Sequence, residues 1–262
     1  MKILELPDQK KRFIISAIVL LAVALERTEV FMANRVIAQV GQTSIDALPN
    51  WEKLLILAGP PLLIYGLALG LLSSFSREVA TDMLGLNKGL GLPLLAAVIA
   101  TLPMFIGCGI VNGLAENLHV KQILFNNVYA GFNEELIYRA FITGILVRYA
   151  RWNFLVAAVL SCFIWAWEHL YQAGNISEQV MILLFMTGSG LGLSAGYKFW
   201  NWNIWFVIFM HTLMNMTGSL FPEGHNLLMS WTGNVFRGIT ILLAVFISVY
   251  YWRKKGIKTT AN

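Results

Sequence analysis

Two adjacent glutamates, Glu134 and Glu135, stand in a stretch of sequence that is otherwise apolar enough to be a membrane helix. On insertion scales, a charged side chain at the centre of a bilayer costs about 2.5–3.5 kcal/mol, so such residues are rare in membrane segments that have no use for them. A carboxylate that faces a water molecule can act as a general base. The pair is therefore the first candidate for a catalytic site.

Two further polar sets follow in later apolar segments. Glu168 and His169 end one apolar run, and His211 and Asn215 are four residues apart in another, which places both on one face of a helix. Imidazole and carboxamide groups can donate hydrogen bonds to a developing oxyanion, and an imidazole can ligate a metal. Three polar sets in separate apolar segments indicate a functional site. Each of the later sets also has a structural alternative, since His169 could be an interfacial residue and His211 with Asn215 could hold two helices together.

Helical geometry separates the two glutamates. Glu135 and Arg139 have the i, i+4 spacing of a side-chain ion pair. Glu134 lies about 100° further round the helix, above Tyr138. We therefore predict that Arg139 neutralises Glu135 and that Glu134 faces a neighbouring helix. The alternative is that Asn133 caps a helix and both glutamates complement its N-terminal dipole. The fragment alone supports both alternatives equally.

The composition is that of an integral membrane protein. Of the 262 residues, 57% are hydrophobic and only 13% are charged, against about one quarter charged in soluble domains. Since a membrane helix needs roughly 20 apolar residues and a barrel needs alternating strands, the continuous runs predict helices. We predict an all-α, polytopic transmembrane bundle of about eight helices, in a single membrane domain over residues 1–262. The predicted spans are Phe13–Met32, Leu54–Phe75, Gly89–Val111, Leu124–Val147, Phe154–Tyr171, Val180–Tyr197, Trp202–Thr217 and Gly238–Trp252.

The net charge of +5 arises largely from basic clusters that flank the first and last apolar runs. This placement follows the positive-inside rule and suits anionic lipid headgroups, whereas a nucleic-acid partner would need a basic patch with exposed aromatic residues. We predict no nucleic-acid partner and a multi-pass protein of the cell membrane, surrounded by the lipid bilayer. Both termini are predicted to be cytoplasmic, because the segments that this topology assigns to the inside hold most of the Lys and Arg residues between spans.

Glycine spacing predicts one site of close helix packing. Gly188, Gly192 and Gly196 are four residues apart in the sixth predicted span. Such a stripe of small residues allows two helix backbones to approach closely in a membrane.

The three polar sets, in chain order, resemble the motifs of the CPBP family of intramembrane proteases, also called Abi or type II CAAX prenyl endopeptidase-like proteins. The resemblance covers about residues 125–218. The EExxxR motif is matched by Glu134, Glu135 and Arg139, the FxxxH motif by His169 with Trp165 in place of the usual phenylalanine, and the HxxxN motif by His211 and Asn215.

The resemblance implies an intramembrane endopeptidase that hydrolyses peptide bonds of membrane-associated peptides or proteins. Glu134 and His169 would activate a water molecule, directly or through a divalent metal such as zinc. His211 and Asn215 would stabilise the oxyanion, and in the metal version His211 would join Glu134 and His169 as a third ligand. Glu135 and Arg139 would form a supporting pair. The sequence leaves the metal open, because it has no HExxH pattern that would fix two imidazoles on one helix face.

Two other classes of protein could use the same polar residues. A non-catalytic immunity or scaffold protein could use them to bind partners. An ion-coupled transporter could use them as a proton relay, since intramembrane Glu and His residues also build relays. Transporter folds often contain inverted repeats and interrupted helices, and the sequence shows no clear sign of either.

Overall fold

The structure, a computed structural model, describes residues 3–40, 50–118, 120–221 and 231–256. Within these ranges the chain is helical with short connections and has no β-strand, so the all-α prediction is confirmed. Four of the described helices are long and apolar enough to cross a membrane, and Gly59–Ser73 with Arg77–Leu84, bent by 110°, counts as a fifth if taken as one broken span. The polytopic bundle is thus confirmed and the number of spans is approximate, because the first and fourth predicted spans carry charges and Ile204–Leu220 is short.

The chain divides into two compact units, and the single membrane domain over residues 1–262 stays a prediction. The first unit comprises Met1–Met83 and Tyr149–Arg151. Its helices are α1 (Asp8–Val40), α2 (Asn50–Ser73) and α3 (Arg77–Leu84), and α1 packs along α2. Two of the three charged residues in the first predicted span form a local pair, with Arg27 Nε donating a hydrogen bond to Glu26 Oε2 at 2.6 Å. Pairing reduces the cost of placing these side chains in an apolar helix.

The second unit comprises Leu84–Arg148 and Trp152–Asn262 and carries all three polar sets. The helical elements are α4 (Gly91–Asn112), α5 (Val120–Glu134), the π-helix (Glu135–Gly144), α6 (Ile145–Arg148), α7 (Phe154–Glu168), α8 (Ile176–Phe199), α9 (Ile204–Leu220) and α10 (Trp231–Lys255). Helix α9 packs on α4 and α5, α10 packs on α4 and α8, and α7 packs on α8 and on the π-helix.

Asparagine residues determine where three helices of this unit begin. The side chains of Asn153, Asn175 and Asn203 each accept a hydrogen bond from a backbone N–H in the first turn of α7, α8 and α9. A side-chain acceptor at this position satisfies one of the four N–H groups that a helix leaves unpaired at its start. Two of these three helices, α7 and α9, carry the second and third polar sets.

Close backbone contact between α5 and α9 brings the first and third polar sets together. A Cβ atom on Gly131 would lie 2.3 Å from Oγ1 and 2.9 Å from the backbone nitrogen of Thr212, so only glycine fits there. Gly131 precedes Glu134 by one turn, and Thr212 adjoins His211.

The predicted glycine stripe is only partly correct. Added Cβ atoms on Gly192 and Gly196 would lie 2.6 Å from Ile241 and 2.9 Å from Phe206, so both glycines permit close packing. Gly188 has no described atom within 4 Å of such a Cβ, so its assignment to the stripe is wrong among the residues that the structure describes.

Candidate active site

The helix that carries the two glutamates does not begin at Asn133. Helix α5 runs from Val120 to Glu134 and continues directly into the π-helix Glu135–Gly144. The alternative in which Asn133 caps a helix start is therefore wrong. Two glutamates in the middle of a continuous helix gain nothing from an N-terminal dipole.

The π-helical turns are held in place by hydroxyl groups. The carbonyl of Tyr138 accepts hydrogen bonds from Thr143 Oγ1 at 2.9 Å, five residues on, and from Ser161 Oγ of α7 at 2.6 Å. The Tyr138 hydroxyl donates a hydrogen bond to Glu168, at the end of α7. Long π-helical segments are rare, and π-turns often occur at functional sites.

Glu135 is the buried partner of Arg139, as predicted, and it also binds His211. Arg139 Nη1 lies 3.1 Å from Glu135 Oε1, and both side chains are 0% exposed. The same oxygen lies 2.7 Å from His211 Nδ1, the donor of this hydrogen bond. The sequence did not indicate the Glu135–His211 contact, because spacing within one helix says nothing about a partner on another. The bond fixes the imidazole so that its Nε2 lies 4.0 Å from Glu134 Oε2.

Trp165 connects the three polar sets. Its indole Nε1–H donates a hydrogen bond to Glu134 Oε2. The guanidinium carbon of Arg139 lies 4.3 Å from the centre of a Trp165 ring, a cation–π geometry. The rings of His169 and His211 meet Trp165 edge-on, at centroid distances of 5.4 and 5.7 Å. The motif indicates only that tryptophan replaces phenylalanine at this position. The signal for its role is the indole N–H, which usually finds a hydrogen-bond partner when it is buried.

His169 lies directly after α7 and is oriented by the helix it follows. Its Nδ1 lies 2.8 Å from the backbone carbonyl oxygen of Trp165. A carbonyl can only accept, so we assign the proton to Nδ1, and in the neutral ring Nε2 then carries a lone pair. His169 is therefore a positioned imidazole that can accept a proton or a hydrogen bond.

The four residues predicted to be catalytic line a single cavity of about 360 Å³ within the second unit. Glu134 contributes from α5, His169 from the end of α7, and His211 and Asn215 from α9. Trp165 lines the same cavity. Among the described residues, the carboxamide of Asn215 has no hydrogen-bond partner, so its N–H groups are free to bind a ligand. Sequence analysis missed further polar residues of the lining, which include Asn127, Gln172, Ser189, Ser219 and Arg237.

The predicted metal ligands Glu134, His169 and His211 share this cavity but do not form a ready ligand set. In the part of the chain that the structure describes, no group of three or more His, Cys, Asp or Glu side chains is arranged to hold a metal ion. The indole N–H of Trp165 binds Glu134 Oε2, so the other carboxylate oxygen would be the one available to a metal. The divalent metal stays a prediction.

The segment that contains the motifs also matches a known family. A family model described as Rce1-like, type II CAAX prenyl endopeptidase Rce1-like, matches residues 115–217. The resemblance to the CPBP family is confirmed. This Rce1-like segment contains every motif residue and all of the contacts around Trp165, and the family that it resembles is one of CAAX-type intramembrane proteases. No curated protein and no solved structure matches the chain.

Proposed function

We propose that the chain is an intramembrane endopeptidase that cleaves membrane-associated peptides or proteins in the 360 Å³ cavity. One observation carries the proposal: Glu134, His169, His211 and Asn215 come from three separate segments of an apolar bundle and line the same cavity. Buried polar groups are costly in such a bundle and mark functional sites. The Rce1-like match over residues 115–217 supports the same class of reaction.

Glu134 and His169 are the proposed activators of water. The indole of Trp165 binds Glu134 Oε2, which fixes the carboxylate and leaves its other oxygen to accept a proton from water. The lone pair on His169 Nε2 accepts the second hydrogen of the same water. As the water oxygen bonds to the carbonyl carbon of the peptide, its proton passes to Glu134. Glu134 then protonates the departing amine as the carbon–nitrogen bond breaks.

His211 and Asn215 are the proposed donors to the oxyanion. The cluster holds two carboxylates, Glu134 and Glu135, and one guanidinium, Arg139, so a protonated His211 would balance its charge. Such an imidazole donates from Nδ1 to Glu135 and from Nε2 into the cavity. Together with an N–H of Asn215, it offers two donors to the negative oxygen of the tetrahedral intermediate.

The proposed setting is the cell membrane, with both termini in the cytoplasm. Apolar helices and the membrane protease match support a multi-pass protein. The basic clusters at both ends of the chain support this orientation through the positive-inside rule. The substrate would be a membrane-associated peptide or protein.

The test is cleavage by the purified protein in lipid vesicles. The probe is a fluorogenic peptide with a farnesylated cysteine, compared with the same cleavage sequence fused to a transmembrane segment. We expect Glu134→Gln and His169→Ala to abolish cleavage of the probe that wild type cuts, with thermal unfolding like that of wild type. Glu78→Gln is the matched control, because Glu78 is exposed in α3 of the first unit. Full activity in both cavity variants would refute the mechanism.

A further inference from the structure

Arg237 is a cation in the catalytic cavity that the proposed reaction does not use. It lies on α10, beyond the Rce1-like segment, and its half-buried side chain lines the cavity together with Glu134 and Asn215. One guanidinium nitrogen, Nη1, donates to Asn234 Oδ1 at 2.8 Å. Among the residues that the structure describes, no carboxylate forms an ion pair with Arg237, whereas Arg139 is paired with Glu135.

Two other polar residues of the cavity lining do not offer the missing charge. Asn127 and Ser219 line the cavity as neutral groups that bind each other, with Asn127 Nδ2 donating to Ser219 Oγ at 2.9 Å. Among the described residues of the lining, Glu134 is the single carboxylate, and it is bound by Trp165 and faces His211. A guanidinium in a membrane helix that lines a cavity and forms no ion pair with a described carboxylate is a functional candidate by default.

The chemistry of guanidinium selects the ligand. Its planar array of donors matches a carboxylate, which it can bind through two parallel hydrogen bonds. A peptide substrate can carry a carboxylate at its C-terminus or on an Asp or Glu side chain. A cavity of about 360 Å³ admits only a short piece of chain around the scissile bond. A carboxylate that reaches Arg237 must therefore lie within a few residues of that bond.

We propose that Arg237 binds a carboxylate of the substrate close to the scissile bond and so makes the enzyme select peptides that present one there. The inference rests on the proposed peptidase function, which it deepens. It assigns a substrate-binding role to α10, a helix outside the segment that matches the Rce1-like family.

The experiment compares three forms of one alkyl-anchored fluorogenic peptide: the free C-terminal acid, the C-terminal amide, and the amide with aspartate as its last residue. We expect wild type to cleave at least one carboxylate-bearing form about tenfold better than the plain amide, measured as kcat/KM. Arg237→Gln removes this preference, and Arg237→Lys retains part of it. Preference for the free acid identifies a C-terminal carboxylate as the ligand, and preference for the aspartate form identifies a side chain. The matched control is Arg253→Gln, which removes the same charge from an exposed position of α10 and leaves the preference unchanged.

A binding measurement separates this proposal from the peptidase function. Binding of the three peptides to Glu134→Gln is compared with binding to the double variant Glu134→Gln, Arg237→Gln, with thermal unfolding as the check on folding. Tighter binding of a carboxylate form that depends on Arg237 supports the inference even if no peptide is cleaved. The inference would be overturned if protein that retains Arg237 bound and cleaved all three peptides equally well. It would also be overturned if the preference for a carboxylate form survived Arg237→Gln.

Discussion

Replacing Trp165 with phenylalanine tests whether the indole N–H is part of the catalytic machinery. Phenylalanine keeps an aromatic ring for Arg139, whose guanidinium carbon lies 4.3 Å from the Trp165 ring centre, but it removes the donor to Glu134 Oε2. Phenylalanine is also the usual residue in the FxxxH motif that this segment resembles. The substitution therefore isolates one hydrogen bond while it preserves the packing of the cavity wall.

The expected loss follows from the kind of hydrogen bond that is removed. A hydrogen bond to a charged group is worth about 1.5–3 kcal/mol, and about 1.4 kcal/mol corresponds to a factor of ten. If the bond holds Glu134 in the orientation that accepts the proton from water, kcat of Trp165→Phe falls between about tenfold and about a hundredfold. Thermal unfolding should change little, because the ring contacts remain.

The assay is single-turnover cleavage of the anchored fluorogenic peptide in vesicles, with thermal unfolding measured on the same preparations. Trp167→Phe is the matched control, because Trp167 lies on the same helix but is 57% exposed, so its kcat should equal that of wild type. Trp165→Leu, which also removes the ring over the buried Arg139, should lower both kcat and thermal stability. If Trp165→Phe kept the wild-type kcat, the hydrogen bond from the indole N–H to Glu134 would not contribute to catalysis, and the proposed role of Trp165 would be refuted.

Three further predictions concern packing, metal dependence and topology. Gly131→Ala places a Cβ atom 2.3 Å from Thr212 Oγ1, so it should destabilise the fold by about 1–3 kcal/mol in thermal unfolding and abolish cleavage. The control is Gly66→Ala, whose Cβ atom meets nothing within 4 Å and should change neither property. Equal effects of the two substitutions would contradict the close approach of α5 and α9. If Glu134 and His169 activate water alone, cleavage survives dialysis against a chelator and elemental analysis finds no stoichiometric metal, whereas loss that zinc restores would establish the metal version. Both native cysteines, Cys108 and Cys162, are first replaced, and a single cysteine is then introduced at Lys2 or Lys258. With cytoplasmic termini, this cysteine should react with a membrane-impermeant maleimide only after the cells are opened. Labelling of intact cells would show that the labelled terminus lies outside and would contradict the predicted orientation.

Much of the fold follows from features that the sequence displays directly. Long apolar runs locate most of the helices, and Asn153, Asn175 and Asn203 lie where α7, α8 and α9 begin. The length of an apolar run does not by itself decide whether the helix crosses the membrane. For α9, with 17 residues, the decisive information lies in its neighbours and not in its own composition.

The sequence predicts which residues belong to the candidate site but not how they contact one another. Motif order and spacing selected the four residues that share the cavity, but not the contacts that fix them. The π-helix depends on Ser161 of another helix binding the Tyr138 carbonyl, so α-helical periodicity could not reveal it. Arg237 lies just before the predicted eighth span, in a segment that the predicted topology assigns to the outside, and only its place in the cavity makes it a candidate for function.

The contacts around the cavity give the two neighbouring glutamates different tasks. Glu135 is fully buried between Arg139 and His211, so its charge orients the donor side of the site. Glu134 faces the cavity and is held by Trp165, which also accepts the His169 hydrogen bond on its backbone carbonyl. Glu134 and His169 therefore both depend on Trp165. The Trp165 ring also covers Arg139, which supports the oxyanion donors through Glu135.

Trp165 thus couples the two halves of the site, whereas Glu135 acts on one half. Removing the whole Trp165 ring should weaken both water activation and oxyanion binding. Removing the Glu135 charge should leave the hydrogen bond between Trp165 and Glu134 in place. The effects of Trp165→Leu and Glu135→Gln on kcat should consequently be non-additive, since both substitutions release Arg139 and His211. The effects of Trp165→Phe and Glu135→Gln should be closer to additive, because the phenylalanine ring still covers Arg139.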